Sequence, residues 1–340
     1  MKNDSPDLPS PAEILSPGEK VLGTELDTII SAAWLYYHEN LTQAEIAKRL
    51  NLSRPAVINL LANARETGIV TISIRSDLLS QLTIAERMRK RFGLVSAYIV
   101  PTPENATSET IQQALGKAGA LLLEKVLQPG GVLATTWGGT IMAVAVELSG
   151  KKIKDLILAQ SVGSLSSGES FSPIRLASIL AEKLGAKAYH LPVPAIVSSI
   201  EVRDILLADH SVRSCLSMAQ AASVALLGIG KVSYDATVVK ADFVSRMMID
   251  ELKAKGAVGD ISCRFFDIQG RPVKTEFEDR VISLTLDEIA KIRSVIAIAG
   301  GDDKVSTVLG GLRTGCIDIL VTDEDTAHKV LALDEEIPKE

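Results

Sequence analysis

The chain has 340 residues, of which 46% are hydrophobic and 23% charged, with a formal net charge of −6. That length and composition fit two globular domains, and the acidic balance excludes a protein coated in nucleic acid, although a small local DNA-binding face stays open. Three scattered cysteines without a CxxC pair, Cys215, Cys263 and Cys316, exclude a disulfide framework and read as small buried hydrophobes in a reducing compartment.

The first twenty residues, "MKNDSPDLPSPAEILSPGEK", are polar and hold Pro6, Pro9, Pro11 and Pro17. They lack the apolar core of a signal peptide, and no run in the chain approaches the ~20 apolar residues that span a bilayer. The expectation is a disordered tail over 1–20 on a cytoplasmic protein with no membrane partner.

Residues 21–75 are expected to form an all-α helix-turn-helix DNA-binding domain. "LDTIISAAWLYYHEN" predicts a supporting helix packed through Ile29, Ala33, Tyr36 and Tyr37. Thr42 and Glu45 then form an [ST]-x-x-E capping box, with Ile46, Ala47 and Leu50 on one apolar face. Asn51 suits the left-handed turn that follows. Ser53 caps a second helix with Pro55 in its first turn. Val57, Leu60, Leu61 and Ala64 face inward, leaving Arg54, Asn59, Asn63 and Arg65 outward. A major-groove reader needs this geometry, and the residues assigned to double-stranded operator DNA are Thr42, Gln43, Ser53, Arg54, Pro55, Asn59 and Arg65. Between Glu25 and Arg75, five acidic residues balance five basic ones. Binding therefore has to rest on a focused surface multiplied in a homo-oligomer, a dimer or tetramer. An αα-hairpin serving protein contacts alone is the structural alternative.

Residues 76–92 predict a linker helix ending in Arg87, Arg89, Lys90 and Arg91, a cluster that suits either a solvated face or DNA-backbone contacts. From Gly93 onward, short β-branched runs alternate with amphipathic stretches. The runs are 95–100, 131–136, 155–162, 188–193, 223–229, 281–286, 295–300 and 317–322. This alternation predicts a doubly wound α/β domain over 93–340 around a mostly parallel sheet. Three strands end in glycine-rich loops: "TTWGGT" with Thr136, Gly138, Gly139 and Thr140; "LLGIGKV" with Gly228, Gly230 and Lys231; and "IAGGDDK" with Asp302, Asp303 and Lys304. Such loops at the carboxyl ends of parallel strands converge on one crevice. A helix N-terminus there favours an anion, and a lysine beside one conflicts with the helix dipole unless an anion is bound.

"TQAEIAKRLNLSRPAVINLLANARETGIVTI" resembles, at matching spacing, the N-terminal domain of the SorC/DeoR family of sugar-binding transcriptional regulators. "GGVLATTWGGT", "YHLPVPAIV", "GAVGDISCRFFDIQGRPV" and "VIAIAGGDDKVSTVLGGLRTG" look like landmarks of its effector domain, similar in fold to sugar-phosphate isomerases. The resemblance covers nearly the whole chain. It implies a small carbohydrate or sugar-phosphate effector, with Thr136, Gly138, Gly139, Thr140 and Lys304 at the phosphate end. Gln160 and Asp260 would contact hydroxyls, and Gly228 and Gly230, from the second glycine-rich loop, complete the effector-binding set. The competing class is a sugar-phosphate isomerase or deaminase with a helical extension, its candidate bases being Glu169, Asp260, Asp302 and Asp303. The four histidines show no ligand-like spacing, and no cofactor, metal or catalytic residue is expected.

Overall fold

In the computed structural model the described residues are 25–71, 76–164, 173–236, 239, 244–276 and 278–337. The expected tail over 1–20 and the candidate base Glu169 lie outside them. The chain divides into two compact units between residues 75 and 76.

In the first unit, α1 (Glu25–Tyr37), α2 (Gln43–Leu50) and α3 (Arg54–Glu66) follow the predicted order. Thr42 and Glu45 close the capping box: the Glu45 amide donates to Thr42 Oγ1 at 3.3 Å and the Thr42 amide to Glu45 Oε2 at 2.8 Å. Asn51 terminates α2 at φ 54° and ψ 45°, a conformation asparagine tolerates better than most residues. Ser53 Oγ accepts from the Ala56 amide at 3.3 Å and Pro55 lies in the first turn of α3. Ala32, Leu35, Ile46, Ala47, Val57 and Leu61 form the core. Ile29 and Ala33 are buried as expected, together with Ala64. Tyr36 and Tyr37 are not: both are exposed and meet edge to face. Leu35 takes the inward position instead. Replacing Ser53 with alanine leaves an α3 amide uncapped, an expected loss of about 1 kcal/mol measurable by thermal melting.

The second unit begins with α4 (Ser76–Phe92), expected as a linker. It is instead part of this unit, with Ile84 and Met88 in the unit's core. The basic cluster is engaged there too: Arg89 and Lys90 pair with Glu86, Arg87 with Glu335 and Arg91 with Asp334. A role in DNA-backbone contact thereby loses its support.

The main sheet comprises β1 (Ser96–Val100), β2 (Val132–Thr135), β3 (Ile157–Gln160), β4 (Lys187–Tyr189), β5 (Val224–Gly228), β9 (Val295–Ile298) and β10 (Ile319–Asp323). Its order is β1-β10-β9-β5-β2-β3-β4, parallel throughout. Alternate residues face opposite layers. On one side Leu133, Leu158, Leu226, Ile296, Ile298 and Val321 pack with α5 (Ser108–Val126), α6 (Gly139–Glu147) and α7 (Pro173–Leu184). On the other, Ala97, Ala134, Ala159, Ala225, Leu227, Val295, Ala297 and Leu320 pack with α4, α9 (His210–Gln220), α12 (Val305–Arg313) and α13 (Glu324–Glu336). Helices on both faces make the sheet doubly wound, as predicted.

Between β4 and β5 run α8 (Ile200–Ala208) and α9 (His210–Gln220). A three-stranded antiparallel sheet, not foreseen, joins β6 (Gly230–Lys231), β7 (Ala257–Ile261) and β8 (Arg264–Asp267). α10 (Arg246–Ala254) precedes it. Two predicted strands shrink. The run at 188–193 keeps only β4. The run at 281–286 makes isolated bridges, Val281 to Ile196 and Ser283 to Val162, before Thr285 caps the short α11 (Leu286–Ile289).

Candidate functional site

On the first unit, the residues assigned to DNA lie on α2, α3 and the turn between them. Thr42, Ser53, Arg54, Pro55, Asn59 and Arg65 are exposed and Gln43 is half-buried. Arg65 Nε donates to the Leu61 carbonyl at 3.3 Å, which ties it to its own helix. Asn63, expected outward, is half-buried. Sequence reasoning passed over Ile58, which is 43% exposed on α3 one turn after Arg54. An apolar side chain beside Arg54, Pro55 and Asn59 is the type that meets a thymine methyl in a major groove.

On the second unit, a cavity of about 560 Å³ opens at the carboxyl ends of β2, β5 and β9. This volume lies in the range of small-molecule sites. Thr136, Gly138, Gly139, Thr140, Gly228, Gly230, Asp260 and Lys304 all line it, so eight of the nine assigned positions converge. Gln160 does not. It is buried, its amide nitrogen donating to the Pro173 carbonyl at 3.2 Å and its oxygen accepting from the Leu191 amide at 2.8 Å. Its position at the end of β3 makes it a buried brace between chain segments, outside the cavity lining.

Gly138 sits at φ 147° and ψ 163°, a glycine conformation, and gives α6 no side-chain cap. The first amides of that helix therefore keep their positive end free for an anion. Thr136 Oγ1, beside them, is buried without a hydrogen-bond partner. Across the cavity, Ser262 Oγ is in the same state. Buried hydroxyls normally find partners, and two unmatched ones in one cavity suit a polyhydroxylated occupant.

Asp260 stands on β7. Its Oδ2 accepts from the Cys263 amide at 3.1 Å. A Cβ at Gly230 would lie 2.1 Å from its Oδ1, so only glycine lets β6 pass the carboxylate. Ser262 and Cys263 form the β7–β8 turn at φ 57° and 61°, a left-handed pair normally reserved for Asn-Gly sequences. Burial pushes the Asp260 carboxyl up to about 6, partly offset by the Cys263 amide and Lys304. Lys304 Nζ donates to the Ile229 carbonyl at 3.0 Å, and burial holds its ammonium below the usual lysine range.

Lys231, Asp303, Asp235, Glu109, Gln112, Trp137, Ser262 and Cys263 also line the cavity, although none was assigned to it. Lys231 pairs with Asp235 and Asp303. Its place in "GIGK" and that of Asp303 in "GGDDK" were visible signals. Glu109 and Gln112, from the first turn of α5, carried none. Asp302, the other acid of that motif, points away to Lys329 at 2.6 Å.

The sugar-binding domain family model matches residues 76–332. The transcriptional regulator LsrR of Enterobacter sp. (strain 638) is 34% identical over 317 residues, covering 91% of this chain and 94% of that protein. The chain belongs to the SorC/DeoR family of sugar-binding transcriptional regulators. The sorbitol operon regulator of Klebsiella pneumoniae, another member, is 29% identical over 90% of this chain and 98% of its own length. The crystal structure of full-length SorC from that organism superposes with a TM-score of 0.70 at 30% identity, covering 89% of this chain and 98% of the SorC chain. The family match begins at residue 76, at the start of α4, where the second unit also begins. Among the described residues, no helix is long and apolar enough to cross a membrane.

Proposed function

We propose that this protein regulates transcription of a carbohydrate or polyol operon in the cytoplasm. In this reading α3 reads operator DNA, and a sugar, polyol or sugar phosphate in the 560 Å³ cavity modulates that reading. The observation that carries the effector assignment is one cavity holding two unmatched buried hydroxyls, an uncapped helix N-terminus and the Asp260 carboxylate. Any phosphate faces the first amides of α6 and Thr136, while hydroxyls donate to Asp260 and fill the needs of Ser262. Gln160 has no part in the contact set. A homo-oligomer places two copies of α3 on the half-sites of a symmetric operator. The effector acts by binding one operator-competence state better than the other. The regulatory relatives and the DNA-binding form of the first unit favour this over a sugar-phosphate isomerase.

The test combines two measurements on the full chain. A thermal-shift screen of sugars, polyols and their phosphates should give one stabilising class, about 2.7 kcal/mol at a hundredfold excess over Kd. Binding to the gene's own upstream DNA should be salt-dependent and sequence-preferring, and absence of that binding rejects the regulator reading.

Effector affinity should also depend on acidity. The bound form needs Asp260 ionised as an acceptor, and its free-state carboxyl protonates near pH 6. Affinity is therefore full above about pH 7 and falls as pH drops through 6, with Lys304, Lys231, Asp303, Asp235 and Glu109 the charged neighbours lining the same cavity. Calorimetric titrations at pH 5 and pH 7.5 measure the difference, and Asp260→Asn should remove the pH step along with most of the affinity.

A further inference from the structure

Two parts of the cavity wall are held by the same helix, α13. The Gly301 amide donates to Asp323 Oδ2 at 2.9 Å and to Thr326 Oγ1 at 2.7 Å. Thr326 in turn donates to Asp323 through its amide at 2.9 Å and its hydroxyl at 2.7 Å. A Cβ at Gly300 would lie 2.1 Å from Asp323 Oδ2, so the cavity turn rests directly on the cap of α13. The second part is Lys304, which caps the start of α12, a helix that ends in Arg313. Arg313 Nη2 donates to Asp334 Oδ1 at 2.7 Å, near the far end of α13, and both side chains are buried.

The same helix holds α4 at two places. Ser80 Oγ donates to Glu324 Oε1 at 2.9 Å, in the first turn of α13. Arg91 Nε donates to Asp334 Oδ2. Ser80 and Arg91 are about 16 Å apart along the helix, at 1.5 Å per residue. Gripped at both ends, α4 cannot shift along its axis unless α13 moves or the grips break. In the chain, α4 begins where the DNA-binding unit ends.

We infer that Thr326, Glu324 and Asp334 of α13 are positioning residues that transmit the state of the Gly300–Gly301 cavity turn to α4, the segment joined to the DNA-binding unit. This rests on the regulator reading given above. Coupling of this kind runs through contiguous hydrogen bonds and rigid helices, and here every link is a named contact.

Hydrogen–deuterium exchange of the full chain, with neither DNA nor effector added, tests it. Two variants disturb the turn from opposite sides. Gly301→Ala forces a side chain onto φ 106°, with its Cβ 3.3 Å from Asp303 Oδ1. Thr326→Val keeps the shape and removes the hydroxyl. Each is expected to raise exchange of α4 amides between residues 82 and 92 more than threefold. Gly138→Ala, at the other cavity loop, should leave α4 unchanged. In a Ser80→Ala background, the Thr326→Val effect should fade over the first half of α4, and Ser80→Thr should restore it. If neither turn variant alters α4 exchange, or Gly138→Ala alters it equally, the relay is wrong. A purely structural role would give no background dependence and no rescue. Failure of the wild-type chain to bind its upstream DNA would overturn the regulator reading while leaving the exchange result intact.

Discussion

Replacing Asp334 with alanine should destabilise the second unit by about 3–5 kcal/mol, the usual cost of leaving a buried charge without its partner. Arg313 is buried to 5% exposure, and Asp334 is its carboxylate partner, through Nε at 3.1 Å and Nη2 at 2.7 Å. Its other contacts include the carbonyls of Ile268, at 3.1 Å, and Ile337, and Gln269 Oε1 at 3.4 Å. Arg91, half-exposed, can return to water; Arg313 cannot. Urea denaturation followed by circular dichroism measures the loss. Asp334→Asn, which keeps a hydrogen-bond acceptor, should lose less. A drop below about 1 kcal/mol for the alanine variant would mean that the pair contributes no more than a surface bridge.

Arg54→Ala should cost about 1–3 kcal/mol of specific operator affinity per half-site, the range for loss of one base-reading arginine. On a two-fold operator the loss is incurred twice. Arg54 is exposed in the first turn of α3, next to the Ser53 cap, which is where a recognition helix presents side chains to base edges. Competition binding against a scrambled duplex gives the decisive comparison. Specific affinity should fall far more than affinity for the scrambled sequence, with the salt slope nearly unchanged. Equal losses on both duplexes would reassign Arg54 to the phosphate backbone.

The first unit was legible in the sequence almost residue by residue because its determinants are local. A capping box, an asparagine at a left-handed turn, and a serine cap followed by proline each act within four residues. The misreading of Tyr36 and Tyr37 came from treating aromatic rings as packing residues, whereas the buried positions on α1 go to Ala32, Ala33 and Leu35. The second unit was legible in its parallel strands and glycine loops, and the convergence of those loops followed from the general behaviour of such sheets. The antiparallel sheet was hidden for a specific reason. Its hairpin turn is Ser262–Cys263, both left-handed, in place of the Asn-Gly or Asp-Gly that announces such a turn. The linker reading of α4 failed because Ile84 and Met88 join a core that α4 shares with β1 and with α13, a helix far along the chain. Gln160 shows the limit of position alone: a strand-end glutamine in the right loop region turned out to have both ends of its amide engaged.

The two faces of the main sheet differ in texture. Towards α5, α6 and α7 it presents leucine and isoleucine from β2, β3, β5 and β9; towards α4, α9, α12 and α13 it presents alanine from five strands, interspersed with Leu227, Val295 and Leu320. Large interdigitated side chains lock neighbouring layers in register, since displacing one means unseating many close contacts. A methyl lets a helix lie closer to the sheet than a leucine does, so the alanine positions draw that layer in while Leu227, Val295 and Leu320 key it in place. One of the helices seated on that close-packed face is α4, which begins where the first unit ends.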